Sequence, residues 1–289
     1  MRRDHILTFA VLCVFHAWTL GVDSNMISPR LNRRNPGQIR LDMAPDSIDD
    51  SYDGCRKNML CEVTKKFLPE EKNTDSKFKV AWDDAMTQYG NNYKSNIQQL
   101  SNDHLRAIHV YVNPQRMIYA QFNEATRTLG NSYKTDFKYH SLHFLLSDAL
   151  RILNEAQGKQ CVKSFRGAAV AYQGDKDDTM RFGQFTSSTT DELVAKIYAN
   201  WKTCFKITTC YGASLADFSQ VEAEKEVLIP PYEVFKIAKV TKNKVLEDKD
   251  KDIKSECEIV YELESTKTKS DRNCDIVEKD STKKMCNTM

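Results

Sequence analysis

The hydrophobic rhythm of the chain changes near Gly158. Before it, apolar residues recur three and four positions apart; after it, they gather in short runs separated by Gly, Asp and Ser. From Asp49 onward, Tyr52, Cys55, Met59, Val63 and Phe67 predict a helix that Pro69 stops. Phe78, Ala81, Trp82, Ala85, Met86 and Tyr89 predict a second, capped by Asp75-Ser76 and ending before Gly90. The longest stripe, Leu142, Leu145, Leu146, Ala149, Leu150, Leu153 and Ala156, follows Asp136 and ends at Gly158. Such stripes are core faces, and His140 and His143 within the last one read as structural rather than catalytic. In the second half, Cys161 to Tyr172, Phe205 to Cys210 and Glu226 to Val240 are rich in Val, Ile, Phe, Tyr and Thr, as antiparallel strands are. Asp191 to Asn200 looks helical between them. Helices first and strands afterwards predict an α+β fold, with an N-terminal helical part packed on an antiparallel β core.

The two ends break both patterns. Arg2-Arg3, the apolar run Ile6 to Phe15 and the residues up to Gly21 read as a secretory signal peptide over 1–21, too short to span a bilayer. Residues 22–40 carry Arg30, Arg33, Arg34 and Arg40 with little to bury, and read as a flexible basic leader. Within it, Arg30-Leu-Asn-Arg33 is either a processing site or part of a solvated linker. Residues 266–289 form a charged tail with no apolar segment, so neither a transmembrane helix nor a GPI signal is expected. The expected product is secreted and extracellular.

Composition narrows the choice of partner. A hydrophobic content of 40% over 289 residues suffices for a real core. The 42 basic and 40 acidic residues leave +2, which argues against a nucleic-acid binder that works by displacing counterions. A small polar ligand or a protein partner fits better. Of nine cysteines, Cys13 leaves with the signal peptide, and the even remainder in a secreted chain favours disulfides. No C-x-x-C or HExxH occurs, so no metal is expected.

Three segments of the second half carry the chemistry. Val227, Leu228 and Ile229 before Pro230-Pro231 read as a buried strand, whose alternation sets Glu224 and Glu226 on one side and Lys225 on the other. Neighbouring carboxylates in different surroundings separate their pKa values, which suits a reaction in which a cation develops and a proton moves. An acidic turn leading into a strand is the plain alternative. Ser164-Phe-Arg166-Gly167 places an arginine on a strand beside a glycine that admits close approach to the backbone. Arg181-Phe-Gly-Gln-Phe-Thr-Ser187-Ser188-Thr189-Thr190 is an aromatic strand ending in hydroxyls.

In this order, the segments resemble the arginine, Ser-x-Ser and Glu-x-Glu signature of the vertebrate ecto-ADP-ribosyltransferases, relatives of the arginine-modifying bacterial toxins. The resemblance runs from about Leu41 to about Leu263, and includes Asp49 to Cys55, Lys79 to Ala85 and Glu226 to Glu233. It implies a toxin-like catalytic domain over 41–265 that transfers ADP-ribose from NAD to arginine side chains of proteins, or to free arginine analogues, and releases nicotinamide. NAD is then a co-substrate. The resemblance makes Arg166 the NAD-binding arginine and lets the Gly167 backbone meet the nicotinamide amide. Ser187 would hold the nicotinamide-side ribose and orient Glu226. Glu226 would bind a ribose hydroxyl and stabilise an oxocarbenium-like transition state. Glu224 would position the guanidinium acceptor and help remove its proton. Two departures stand out: Phe165 where the family often has Tyr, and Thr189 in place of the second serine. Tyr198 lines the nicotinamide pocket or belongs to the core, and the loop Ser214 to Ala223 would face the acceptor.

The same resemblance implies the disulfides Cys55–Cys257 and Cys161–Cys210, and elimination leaves Cys61 with Cys204 and Cys274 with Cys286. Two other functions stay open. One is an NAD glycohydrolase, in which water replaces the acceptor; the other is a catalytically silent secreted binding protein of the same fold.

Overall fold

Pro69, expected to end the first helix, opens one instead. Helix α1 (Arg56–Glu62) passes through a π-helical turn at Val63–Phe67 into α2 (Leu68–Thr74), where the proline lies in the first turn. An N–H missing there costs no intrahelical bond. The computed structural model describes residues 38–85, 87, 97, 99–113, 118–218, 225–243 and 256–280. The signal peptide 1–21, the leader up to residue 37, Met86, Tyr89, Gly90, Glu224, the loop residues 219–223 and Cys286 lie outside the described residues.

Side-chain caps fix the next helix starts. The Asp75 carboxylate accepts from the N–H groups of Lys77 and Phe78 at 2.9 and 3.0 Å and opens α3 (Ser76–Asp84). Ser101 forms a capping box with His104 at the head of α4 (Asn102–Val112), and α5 (Ile118–Thr128) follows. The stripes traced in the sequence pass over α4 and α5, although Leu105, Ile108 and Tyr111 are buried at helical spacing. At the centre lies α6 (His140–Ala156), whose Leu142, Leu145, Leu146, Ala149, Leu150 and Leu153 are all within the main core.

The second half supplies the sheet. Its strands are β2 (Val162–Ala168), β3 (Ala171–Gln173), β4 (Thr179–Met180), β5 (Thr186–Thr189), β6 (Thr203–Thr209), β7 (Ala213–Ser214), β8 (Glu226–Ile229), β9 (Glu233–Lys242) and β10 (Ile259–Thr268). Helix α7 (Glu192–Tyr198), capped by Asp191, lies between β5 and β6. Among the described residues the large sheet runs β4-β9-β10-β6-β2-β5-β8-β7. All its pairings are antiparallel except β6 with β10, which is parallel. The α+β expectation holds, with that one strand pair correcting the purely antiparallel core. The leader also ends earlier than residue 40: strand β1 (Gln38–Arg40) pairs in parallel with β3, which satisfies its backbone groups.

The disulfides follow from this topology. Cys161 joins Cys210, one position beyond the register pair Val162 and Thr209 on β2 and β6. The expected Cys55–Cys257 bond is not formed. Cys257, just before β10, joins Cys204 on the parallel neighbour β6, while Cys55 joins Cys274. That excludes the remaining guesses, Cys61–Cys204 and Cys274–Cys286; Cys61 is itself disulfide-bonded.

The sequence reads the C-terminal segment as a charged tail from 266, but its described part is docked on the helices. Strand β10 runs to Thr268, and the N–H groups of Asp271 and Arg272 then donate to the buried Asp49 carboxylate at 2.9 and 2.8 Å. The Cys274 N–H donates to Asp50 at 3.0 Å. Asp49 also ion-pairs with Arg181, whose Nε and Nη1 donate to the carbonyls of Met43 and Lys269 at 2.9 and 2.8 Å. Arg181 is therefore a keystone between the segment before α1, the sheet and the C-terminal segment. With its partners satisfied, removing either charge would leave the other buried and unpaired.

Candidate active site

Strands β2 and β5 meet at a single register position, Phe165 opposite Thr189. Arg166, the next residue on β2, bridges the two: its Nη1 donates to the carbonyl of Ser187 at 2.8 Å. The other guanidinium N–H groups have no protein partner among the described residues, and a planar cation with spare donors suits phosphate oxygens. On the other side, β5 pairs with β8 so that Thr189 lies opposite Glu226 and Ser187 opposite Leu228. Residues opposite one another or two apart share a face, which puts Ser187 and Glu226 side by side. Alternation alone would turn Arg166, next to Phe165, to the other face; its bond to the Ser187 carbonyl and its charge acting on Glu226 are what join it to the other two, from three neighbouring strands.

Glu226 is the most unusual group in the cluster. It is 1% exposed, and its Oε1 has no hydrogen-bond partner. Burial pushes its pKa up to about 7; the Ser187 hydroxyl and the Arg166 charge pull it down but only in part. An orphaned buried carboxylate oxygen costs stability unless it serves a ligand. This one fits a ribose hydroxyl, which can donate to it.

The expected twin carboxylate needs a correction. Strand β8 begins at Glu226, and Lys225 has a φ of +41°, a left-handed conformation that breaks extended alternation. The argument that set Glu224 and Glu226 on one side by strand alternation therefore fails at Lys225. Glu224 lies outside the described residues.

Gly167 also has a packing reason to be bare. A Cβ at this position would lie 1.9 Å from the Ala195 carbonyl oxygen and 2.5 Å from the Ala199 nitrogen. The glycine admits the backbone of α7 against β2, and its bareness is explained by helix packing alone. Of the other hydroxyls, Ser188 is bonded to Ser164 and to the Val227 carbonyl at 2.9 and 2.8 Å, and Thr189 accepts from the Asp191 N–H at 3.0 Å. These secure strands and the start of α7. Tyr198 is half-buried at the end of α7.

Two residues at the site escaped sequence reasoning because they come from the helical layer. The Tyr111 hydroxyl, on α4, donates to the Phe185 carbonyl at 2.9 Å and accepts from Asn123 Nδ2, on α5, at 3.1 Å. Their only sequence signal was a buried helical spacing, which the core explains equally well.

An α+β domain that gathers a cation, a hydroxyl and a buried carboxylate on adjoining strands of one sheet has the form of an ADP-ribosyltransferase. The family model described as NAD:arginine ADP-ribosyltransferase matches residues 41–253, and the chain belongs to this family. It is 35% identical over 210 residues to the erythroblast NAD(P)(+)--arginine ADP-ribosyltransferase of Gallus gallus, covering 71% of this chain and 69% of that one. The ecto-ADP-ribosyltransferase 5 of Homo sapiens is 34% identical over 217 residues, covering 71% of this chain and 73% of its own. Among solved structures, a variant of the mono-ADP-ribosyltransferase ART2.2 in complex with NADH superposes with a TM-score of 0.67 and 30% identity. It covers 82% of this chain and 98% of that one. A second ART2.2 variant, in complex with NAD, gives 0.66 with the same identity and coverage.

Proposed function

We infer that this chain is an NAD-dependent protein-arginine mono-ADP-ribosyltransferase in which Arg166, Ser187 and Glu226 act on NAD and Glu224 on the acceptor. One observation carries the assignment of roles: the buried Glu226 keeps a carboxylate oxygen without a partner, beside a hydroxyl and a cation. NAD supplies a glycosidic bond whose cleavage leaves positive charge on the ribose. Glu226 accepts from a ribose hydroxyl and opposes that charge at close range in a site poor in water. Arg166 holds the phosphates with its free donors, and Ser187 orients the carboxylate. Glu224 draws in the guanidinium and helps take its proton, since a free guanidinium is not a nucleophile until deprotonated.

Incubation with labelled NAD and an arginine analogue tests the roles. Glu226→Gln is expected to lose both arginine transfer and NAD hydrolysis, and an active variant would remove Glu226 from the mechanism. Glu224→Gln is expected to lose transfer and keep some hydrolysis; equal loss of both would refute the division of labour.

The protein is extracellular in this reading, and released rather than anchored. Its relatives include ecto-enzymes, and its described cysteines are all oxidised. Expression in secreting cells should put the activity in the medium. Activity that stays on the cells until a phosphatidylinositol-specific phospholipase is added would show an anchor instead.

A further inference from the structure

We infer that Asp50, Tyr133, Tyr52 and His143 form a buried chain that stores one exchangeable proton at Asp50 and gives it up as pH rises, loosening the hold on the C-terminal segment 271–275. All four side chains are buried, and none lies on the catalytic strands. Every link is an observed contact. The His143 ring, on α6, places Nε2 3.1 Å from the Ile48 carbonyl, and a carbonyl only accepts, so Nε2 carries the ring hydrogen. Burial holds the ring pKa down to about 3, which leaves Nδ1 bare to accept from the Tyr52 hydroxyl at 2.7 Å. The Tyr52 and Tyr133 hydroxyls are 3.1 Å apart, and Tyr133 reaches an Asp50 oxygen at 3.2 Å.

Three links need three hydrogens, and the two phenols supply two. The third belongs on Asp50. With it, Asp50 donates to Tyr133, Tyr133 to Tyr52 and Tyr52 to His143, and every link is made. Without it, Tyr133 turns to the carboxylate, and the two phenol oxygens face each other with no hydrogen between them. Burial raises Asp50 to about 7, in agreement with that count. The other Asp50 oxygen accepts from the N–H groups of Tyr52 and Cys274 at 2.8 and 3.0 Å, so the same acid seats the C-terminal segment. Undocked, Asp50 would face water and ionise as an ordinary carboxylate, so proton binding and docking support each other. The charged groups around the chain are few. Asp49 beside Asp50 is paired with Arg181, and Asp275 of the C-terminal segment lies 3.9 Å from Arg272. Glu71 from α2 acts on Tyr52, and His140 on α6 is kept neutral by burial, its pKa lowered to about 4. Both phenols stay protonated, since burial raises them well above the ordinary tyrosine value.

The count predicts shifts of opposite sign. Tyr52→Phe removes the acceptor that only the protonated chain uses, and the Asp50 titration moves to lower pH; an acid raised by burial alone would move up or stay. Tyr133→Phe takes the phenol donor from the ionised carboxylate, and the titration moves to higher pH. Each movement is expected to be about half a pH unit, the worth of one hydrogen bond. The measurement is carbon-13 NMR of the Asp50 side-chain carboxyl in the full chain, assigned by its disappearance in Asp50→Asn. The hold on the segment is read from hydrogen exchange of the Cys274 N–H, corrected for base catalysis. It should speed up by about tenfold per pH unit between about pH 5 and about pH 7 in the parent, and not in Asp50→Asn. Opposite titration shifts together with that acceleration support the inference. Shifts of the same sign, no shift, or a corrected exchange rate that stays flat in the parent overturn it. Should one tyrosine variant fail to fold, the other decides with its stated sign, any other movement overturning.

Discussion

Under the proposed mechanism a single carboxylate is expected to set the pH behaviour of activity. Glu226 is raised to about 7 by burial, and the form that opposes positive charge is the ionised one. Activity in the free enzyme is therefore expected to rise with pH through about 7 and to level off above it, as the acid limb of kcat/KM for NAD hydrolysis would show. A limb near the ordinary glutamate value would mean that the titrating group is another. Some of this was legible in the chain: Arg166, Ser187 and Glu226 stood out as residue types, and the structure brings them together. The raised titration was not, because it comes from burial by layers distant in sequence. Tyr111 and Asn123 were hidden for the same reason, being polar atoms on helices whose apolar neighbours already explained the pattern.

At the scale of elements, packing requires Gly167 to be bare whatever its backbone meets. Gly167 lets α7 lie against β2 with no room for a methyl group. Gly167→Ala is expected to push the helix off the strand and to destabilise the fold by about 2–4 kcal/mol, as overpacking against backbone does. Urea denaturation would measure it, and a variant as stable as the parent would put the close approach in doubt. The helix stripes and strand runs were readable wherever periodicity was long, as in α6. They were misread where a proline opened a helix at residue 69 rather than closing one, since the same residue marks both kinds of boundary. The strand alternation assumed through Lys225 failed because a backbone turn leaves no trace in the pattern of polar and apolar side chains.

For the whole molecule, buried acids away from the site are expected to contribute to the pH dependence of stability. Burial raises Asp50 to about 7 and Glu71 to about 8, the latter held by the Ser141 N–H at 3.2 Å. Raised acids contribute fully below the ordinary carboxylate range, and that contribution is lost as pH climbs through the folded values. Glu71→Gln keeps an acceptor for Ser141 and removes the ionisation, so its Tm should fall less than the parent's as pH rises from about 4.5 to about 8. An unchanged slope would locate the alkaline loss elsewhere. The disulfides were the least legible feature at this scale. Their partners depend on strand order and on the return of residues 269–280 to the helices, neither of which cysteine spacing encodes.

The docking of Asp271 and Arg272 on Asp49 also dictates when the enzyme is finished during synthesis. Asp49 leaves the ribosome 222 residues before the Asp271 N–H that completes its shell. Until then its pairing with Arg181 has no roof, and a nascent polypeptide holds every catalytic residue without a closed body to fix them. Chains released after residue 265 should stay protease-sensitive and unable to use NAD, whereas chains released after residue 280 should be competent.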